Sequence, residues 1–141
     1  METRHSVECW MFGEDGRVLL LHVPPRDEVP AGFWQPVTGG IEPGETPQEA
    51  AAREVTEETG LAVPPARFAR VRGDLRVTID NDHDVLKTLF AVDLPAGDVR
   101  IDPDEHDDSR WLPADDVSRA LHWQSNLWTW RLVREFREAS A

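Results

Sequence analysis

Hydrophobic and polar positions along the chain follow two rhythms. Ser6 to Phe12 and Arg17 to Val23 are apolar runs joined by Gly13-Glu14-Asp15-Gly16. An Asp-Gly pair between two such runs signals a hairpin, so they predict two antiparallel strands. A loop with two adjacent prolines then leads to a short extended piece, Phe33 to Thr38. Phe68 to Ile79 predicts one or two strands, interrupted at Gly73 by a bulge or turn. An acidic turn over Asp80 to Asp84 precedes the clearest late strand, Val85 to Leu94. Pro95 to Asp108 is rich in loop signals, with a short strand expected near Val99 to Ile101, and Trp111-Leu112 should close the sheet.

The helical rhythm begins at Thr46. Pro47 suits a first helical position, and Glu49 lies three residues after Thr46, which makes a capping box. Ala50, Ala51 and Ala52 are strong helix formers, and Gly60 stands where a helix end wants a left-handed residue. The predicted helix runs from Pro47 to Thr59, and Val63-Pro64-Pro65 then forces an extended break. Pro113 starts a short helix reaching about Leu121. A last helix spans Ser125 to Glu138, with Trp128, Leu132, Val133 and Phe136 as its buried stripe. With no internal repeat and no linker, residues 1–141 are expected to form one α+β domain.

The first helix carries an unusual load of carboxylates. At about 100° per residue, Glu54, Glu57 and Glu58 share an arc roughly 100° wide, while Ala51, Ala52 and Val55 point to a neighbouring arc that would pack on the core. Like charges at these spacings destabilise an isolated helix by a few tenths of a kcal/mol per pair. They also lie toward the C-terminal end, where the helix dipole disfavours anions. A cation removes both penalties, and carboxylate oxygens suit a hard ion such as Mg²⁺ or Mn²⁺. An arbitrary pair of glutamates would be a solvated helix face. Here Gly39, Gly40, Glu45 and Arg53 accompany them at fixed spacing.

Composition narrows the partners. The chain has 141 residues, 40% of them hydrophobic, with six tryptophans, enough for one substantial core. Its net charge of -12 argues against a nucleic-acid backbone or an anionic membrane as partner. A polyanionic small molecule would need its charge bridged by metal. Cys9 is alone, which rules out an internal disulfide and makes a reducing cytoplasm the expected location. The N-terminus has no apolar signal core and no apolar run approaches 18 residues, so neither secretion nor membrane spanning is expected.

Written with its spacing, the stretch is Gly39, five residues, Glu45, seven residues, then Arg53-Glu54-Val55-Thr56-Glu57-Glu58-Thr59-Gly60-Leu61. Every fixed position of the Nudix box is filled, so residues 39–61 resemble the metal-binding loop, helix and loop of a Nudix hydrolase. The resemblance implies a mixed β-sheet sandwiched between α-helices. It also implies Mg²⁺-dependent hydrolysis of a phosphoanhydride, with Mn²⁺ a possible substitute. Carried over residue by residue, Glu54, Glu57 and Glu58 are the metal ligands, joined by the backbone carbonyl of Gly40. The general base is one of these glutamates or a carboxylate outside the box. Glu45 and Arg53 would fix the ligand helix; alone, Arg53 would be a surface pair with Glu49.

Outside the box, Phe33-Trp34-Gln35-Pro36-Val37-Thr38-Gly39 resembles the entry segment of bacterial dihydroneopterin triphosphate pyrophosphohydrolases. Glu105-His106, Trp111-Leu112 and Trp123 with Ser125-Asn126 resemble that subgroup's C-terminal pattern. Two departures touch the substrate side: the longer stretch Val23 to Gly32, and one extra residue in Trp123-Gln124-Ser125-Asn126. Glu105 is a candidate to complete the metal site or act as base, against a plain acidic-loop role. His106 is a loop or supporting histidine. Arg26, Trp34, Gln35 and Asn126 are the candidate substrate contacts. Arg26 could instead pair with Asp27 or Glu28, and Trp34 could stack on a ring or serve the core. The expected reaction splits a nucleoside or pterin triphosphate into monophosphate and pyrophosphate. The alternatives are cleavage of dinucleoside polyphosphates, clearance of oxidised nucleotides, and a non-catalytic nucleotide-sensing domain. The expected partner is thus a small nucleotide-type molecule, with the protein a monomer or homodimer.

Overall fold

The computed structural model describes residues 2–80 and 83–140. Strands β1 (Glu2–Phe12), β2 (Val18–Val23), β3 (Phe33–Gln35), β4 (Val37–Gly40), β5 (Ala69–Asp80), β6 (His83–Asp93) and β7 (Asp108–Leu112) form one sheet. Its order is β3-β2-β1-β6-β5, with β4 on β1 and β7 on β2. The pairing of β1 with β6 is parallel and the other pairings are antiparallel, so the sheet is mixed as expected. The Asp-Gly turn closes β1 onto β2, with Gly16 at φ +82° and Gly13 N–H donating to Arg17 O at 2.8 Å. That hairpin pairing is short, because β1 meets β2 only at Met11 and Phe12 and gives Ser6 to Cys9 to β4.

Alternation along β1 sorts side chains to two layers. Val7, Cys9 and Met11 face helix α1 (Pro47–Thr59) and pack with Ala50, Ala51 and Val55. Trp10 and Phe12 face helix α3 (Gln124–Ser140) and pack with Leu89, Trp130 and Val133. Each fully buried aliphatic side chain of this kind contributes about 1.5–3 kcal/mol of burial free energy. Glu8 interrupts the α3-facing row as a fully buried carboxylate.

The predicted first helix has the observed bounds, and Cys9 is a core residue. Ala69–Asp80 is one strand, and the bulge expected at Gly73 appears as register shifts around it, with Asp74 at φ +52°. Three details differ. The turn placed over 80–84 includes residues 81 and 82, which lie outside the described residues; β6 already begins at His83. Val99 to Ile101 forms no strand, because Arg100 N–H is spent on Thr59 O at 2.7 Å, closing the end of α1. The short helix after Pro113 is a 3-10 turn (Ala114–Asp116) followed by α2 (Val117–Ala120).

The stripe of α3 is also rotated from the expected one. Asn126, Thr129, Trp130 and Val133 are buried, Leu132 and Phe136 are half-buried, and Trp128 is exposed. Asn126 turns inward to Glu8 and the Trp130 ring lies 5.2 Å from that of Trp10, which aims Trp128 outward.

Candidate active site

The box helix is fixed at both ends by its own residues. Thr46 Oγ1 accepts from Glu49 N–H at 3.1 Å while Glu49 Oε1 accepts from Thr46 N–H at 2.8 Å. Gly60, at φ +75°, ends the helix and donates to Thr56 O. Arg53 then ties the preceding loop to the helix. Its guanidinium donates to both oxygens of Glu45 at 2.8 and 2.9 Å, to Gly40 O at 2.9 Å and to Glu54 Oε1 at 2.9 Å. The Arg53 hydrogen bonds, with one from Glu42 N–H, hold the Glu45 carboxyl down at about 2. Arg53 is held correspondingly more firmly in its charged form, first by Glu45.

Glu54 is seated against Gly39. A Cβ built on Gly39 would stand 2.6 Å from Glu54 Cγ and closer still to the carboxyl carbon. Burial raises the Glu54 carboxyl above the usual range; Glu57 and Glu58 add to this, and Arg53 opposes it. Glu57 is 54% exposed with Oε1 3.6 Å from Arg53. Glu58 is buried, with Oε2 2.7 Å from His106 Nδ1 but out of line for a hydrogen bond, so both buried atoms lack an aligned partner. The last turn of α1 has no basic residue.

His106 belongs to the loop before β7. Its backbone N–H donates to Asp102 O, and Asp107 joins that loop to His22 through Nδ1 at 2.6 Å. His106 is buried, with Nε2 3.2 Å from Gln35 Nε2 and Nδ1 against Glu58. It therefore links β3 to α1.

On the other face of the sheet, a cavity of about 380 Å³ is lined by Gln35, Thr38, Lys87, Trp123, Ser125 and Asn126, among others. Beneath it Glu8 accepts from Trp10 Nε1 at 3.0 Å, Lys87 Nζ at 2.8 Å and Asn126 Nδ2 at 3.2 Å. A larger cavity of about 460 Å³ runs along α3 past Trp128 and Arg134. It touches no box residue, whereas Thr38 in the smaller one immediately precedes Gly39. The smaller cavity adjoins the strand that leads into the box, on the face opposite the carboxylates.

Among the described residues, no three Asp, Glu, His or Cys side chains stand gathered as a ready ligand set. The reason is visible in the contacts: Glu54 is engaged by Arg53 and Glu58 by His106. The donor chemistry nevertheless suits a hard divalent cation. Three carboxylates share one helix arc, burial with added repulsion from Glu57 and Glu58 raises Glu54, and Glu58 Oε2 is a buried carboxylate oxygen without an aligned donor.

Comparison with known proteins decides the family, because the NUDIX domain model matches residues 2–136. The chain belongs to the Nudix family. It is 33% identical over 127 residues to phosphatase NudJ of Escherichia coli strain K12, covering 86% of this chain and 76% of that protein. It is 40% identical over 117 residues to an octanoyltransferase of Myxococcus xanthus, covering 77% of this chain but only 29% of that protein's length. Among solved structures, the E. coli dihydroneopterin triphosphate pyrophosphohydrolase superposes with a TM-score of 0.64 at 26% identity, over 89% of this chain and 91% of that one.

The mixed sheet between α1 and α3 is thus a Nudix fold, and the chain is a Nudix pyrophosphohydrolase. The sequence-derived site residues divide on this frame. Arg53 ties Glu45, Glu54, Glu57 and the Gly40 carbonyl together, whereas Glu58 lies against His106. Gln35 and Asn126 line the cavity. Glu105 is exposed beside His106 and takes part in no described side-chain hydrogen bond or ion pair. Trp34 is half-buried against the α3-side core, with Arg110 over its ring at 4.9 Å and His22 at 4.8 Å. Gln35, next along the strand, reaches both the cavity and His106. Arg26 lies 5.2 Å over Phe33, whose ring meets Trp123 edge-on. It approaches the cavity wall without lining it.

Two functional features escaped the sequence. Glu8 lies in an apolar run where nothing marks it as a hub, although a lone acid at an inward position of a strand is a signal that could have found it. Lys87 is its partner by parallel pairing of β1 with β6, a register that strand patterning does not specify.

Proposed function

We propose that residues 1–141 act as one domain that hydrolyses a nucleoside or pterin triphosphate, giving the monophosphate and pyrophosphate. The observation carrying this is the Glu54 carboxylate seated on Gly39, sharing Arg53 with Glu57 and one helix arc with Glu57 and Glu58. Glu54, Glu57, Glu58 and the Gly40 carbonyl would hold Mg²⁺ or Mn²⁺, with Glu105 available from the neighbouring loop. Such an ion, when bound, polarises the phosphoanhydride and lowers the pKa of a water. Arg53 keeps Glu54 and the Gly40 carbonyl aimed at one place, and Glu45 fixes Arg53. His106 positions Glu58 from the other side. A carboxylate freed from such a partner can take the proton of the attacking water, and Glu57 and Glu105, both exposed, are the candidates for that base.

The substrate class rests on the cavity and on likeness to the dihydroneopterin triphosphate enzyme. A bicyclic ring would enter between Trp123 and Asn126, with Thr38 leading its phosphates toward Gly39. The test is a panel of nucleoside, dinucleotide, oxidised-nucleotide and pterin triphosphate substrates with Mg²⁺, with products separated by chromatography. Monophosphate plus inorganic pyrophosphate is expected. ATP released from a dinucleoside tetraphosphate would replace this reading by the dinucleoside one. Binding of such compounds without turnover of any would make the domain a sensor.

A further inference from the structure

Gln35 touches a buried histidine, and that histidine stands against Glu58. His106 is 4% exposed, and its ring meets two polar groups. Gln35 Nε2 lies 3.2 Å from its Nε2, and Glu58 Oε2 lies 2.7 Å from its Nδ1. The loop is pinned on either side of the ring. His106 N–H donates to Asp102 O at 2.9 Å, while Asp107 N–H donates to His22 O at 3.1 Å and its carboxylate meets His22 Nδ1 at 2.6 Å.

The two ring contacts fix where the imidazole carries its hydrogen. An amide nitrogen donates and cannot accept, so Gln35 Nε2 requires a lone pair on His106 Nε2. The other nitrogen, Nδ1, then carries the hydrogen and presents it to Glu58. Turning the Gln35 amide over would put the hydrogen on Nε2 and leave an Nδ1 lone pair 2.7 Å from a carboxylate oxygen. Two buried acceptors would then face each other, with no described group donating to either. With the hydrogen on Nδ1 the same separation is a hydrogen-bonding distance that lacks only the angle. We propose that Gln35 is a positioning residue: by donating to Nε2 it keeps the His106 hydrogen on Nδ1, so that Glu58 is held by one oxygen and offers the other to the divalent cation. This role rests on the reading of Glu58 as a metal carboxylate.

The test needs no substrate. Nitrogen-15 NMR of the metal-free wild type, with the His106 signals assigned by their loss in His106→Asn, should show hydrogen on Nδ1 and a bare Nε2. Hydrogen on Nε2 alone, or on both nitrogens, overturns the inference. Mn²⁺ affinity, followed by electron paramagnetic resonance, should fall about tenfold or more in Gln35→Met, which keeps the side-chain length and loses the donor. His106→Asn supplies the rescue. Its amide can turn an N–H to Glu58 without help from Gln35, so adding Gln35→Met to it should lower Mn²⁺ affinity no further. Wild-type Mn²⁺ affinity in a folded Gln35→Met protein overturns the inference, as do equal losses with and without His106→Asn. If Gln35→Met raises KM and leaves Mn²⁺ affinity alone, Gln35 is a substrate contact instead. Should that variant not fold, the wild-type spectrum decides alone. Failure of the wild type to take up Mn²⁺ removes the ligand role of Glu58 and this inference with it. The expected spectrum and Mn²⁺ affinities without hydrolysis of any triphosphate sink only the proposed function. Hydrolysis with the hydrogen on Nε2 sinks only the positioning role.

Discussion

Gly39 and Gly40 are adjacent, yet the structure separates their roles sharply. A methyl group on Gly39 would meet Glu54 Cγ at 2.6 Å, while one on Gly40 meets nothing within 4 Å. Neither has a positive φ, so backbone strain is not at issue at either position. Ordinary contacts between carbon atoms lie near 3.5–4 Å, so Gly39→Ala must push the Glu54 side chain away by about 1 Å. That movement breaks the alignment of Glu54 Oε1 with Arg53 Nη1, now 2.9 Å. Forced displacements of this kind cost about 1–3 kcal/mol of stability. Misplacing a catalytic group by about 1 Å costs on the order of 100-fold in rate. Gly39→Ala should therefore melt a few degrees lower and lose about 100-fold in kcat. Gly40→Ala should match the wild type in both, since its carbonyl survives the change. The assay is thermal melting without added metal, paired with pyrophosphate release under saturating Mg²⁺. Equal behaviour of the two variants would show that Glu54 is not seated where the geometry has it.

Three further outcomes follow from the same contacts. Glu57→Gln should lower turnover by at least about 100-fold, as expected for losing a metal-site carboxylate, while metal-free melts stay level or rise slightly because a like charge is gone; a large destabilisation would make Glu57 a structural residue. Glu45 has its carboxyl held at about 2, below the usual Glu value near about 4.3, so its contribution is present above that usual value and is lost as pH falls through about 2. Melts of Glu45→Gln against pH should therefore show a shallower loss between about pH 4 and pH 2 than the wild type, and parallel curves would refute the assignment. Lys87→Met should strand the buried Glu8 charge and cost about 3–5 kcal/mol in urea unfolding, far more than an exposed lysine would.

The chemistry of this protein was legible in its sequence because the carboxylate site is local. Glu54, Glu57 and Glu58 lie on one helix, so the 3.6-residue repeat puts them on one arc, and Arg53 reaches from that helix to Glu45 in the adjoining loop. The helix bounds were legible for the same reason: capping box and C-terminal glycine act over three or four residues. The cavity beside Asn126 is assembled differently. Glu8 and Asn126 are 118 positions apart and meet only because α3 crosses the face on which Glu8 points inward. His106 and Gln35 meet across 71 positions through a loop that has no periodicity to read. The rotated stripe of α3 has the same origin. Apolar spacing favoured Trp128 as a buried residue, but the partners waiting on the sheet were Glu8 for Asn126 and Trp10 for Trp130.

What joins the two halves of the site is the alternation of one short strand. Thr38 lines the cavity and Gly39, the next residue, faces Glu54 on the opposite layer. Four register pairs with β1, from Ser6 with Gly40 to Cys9 with Val37, pin that alternation, and they set Thr38 beside Glu8. A one-residue slip would turn Gly39 to the cavity and put the Thr38 side chain where Glu54 now rests. The space beside Glu54 admits no side chain at all, so the slipped register would expel the carboxylate. The glycine that opens the box thus does two things at once. It seats the first carboxylate, and by excluding the slipped register it holds the cavity and the carboxylates on opposite faces of the same two residues.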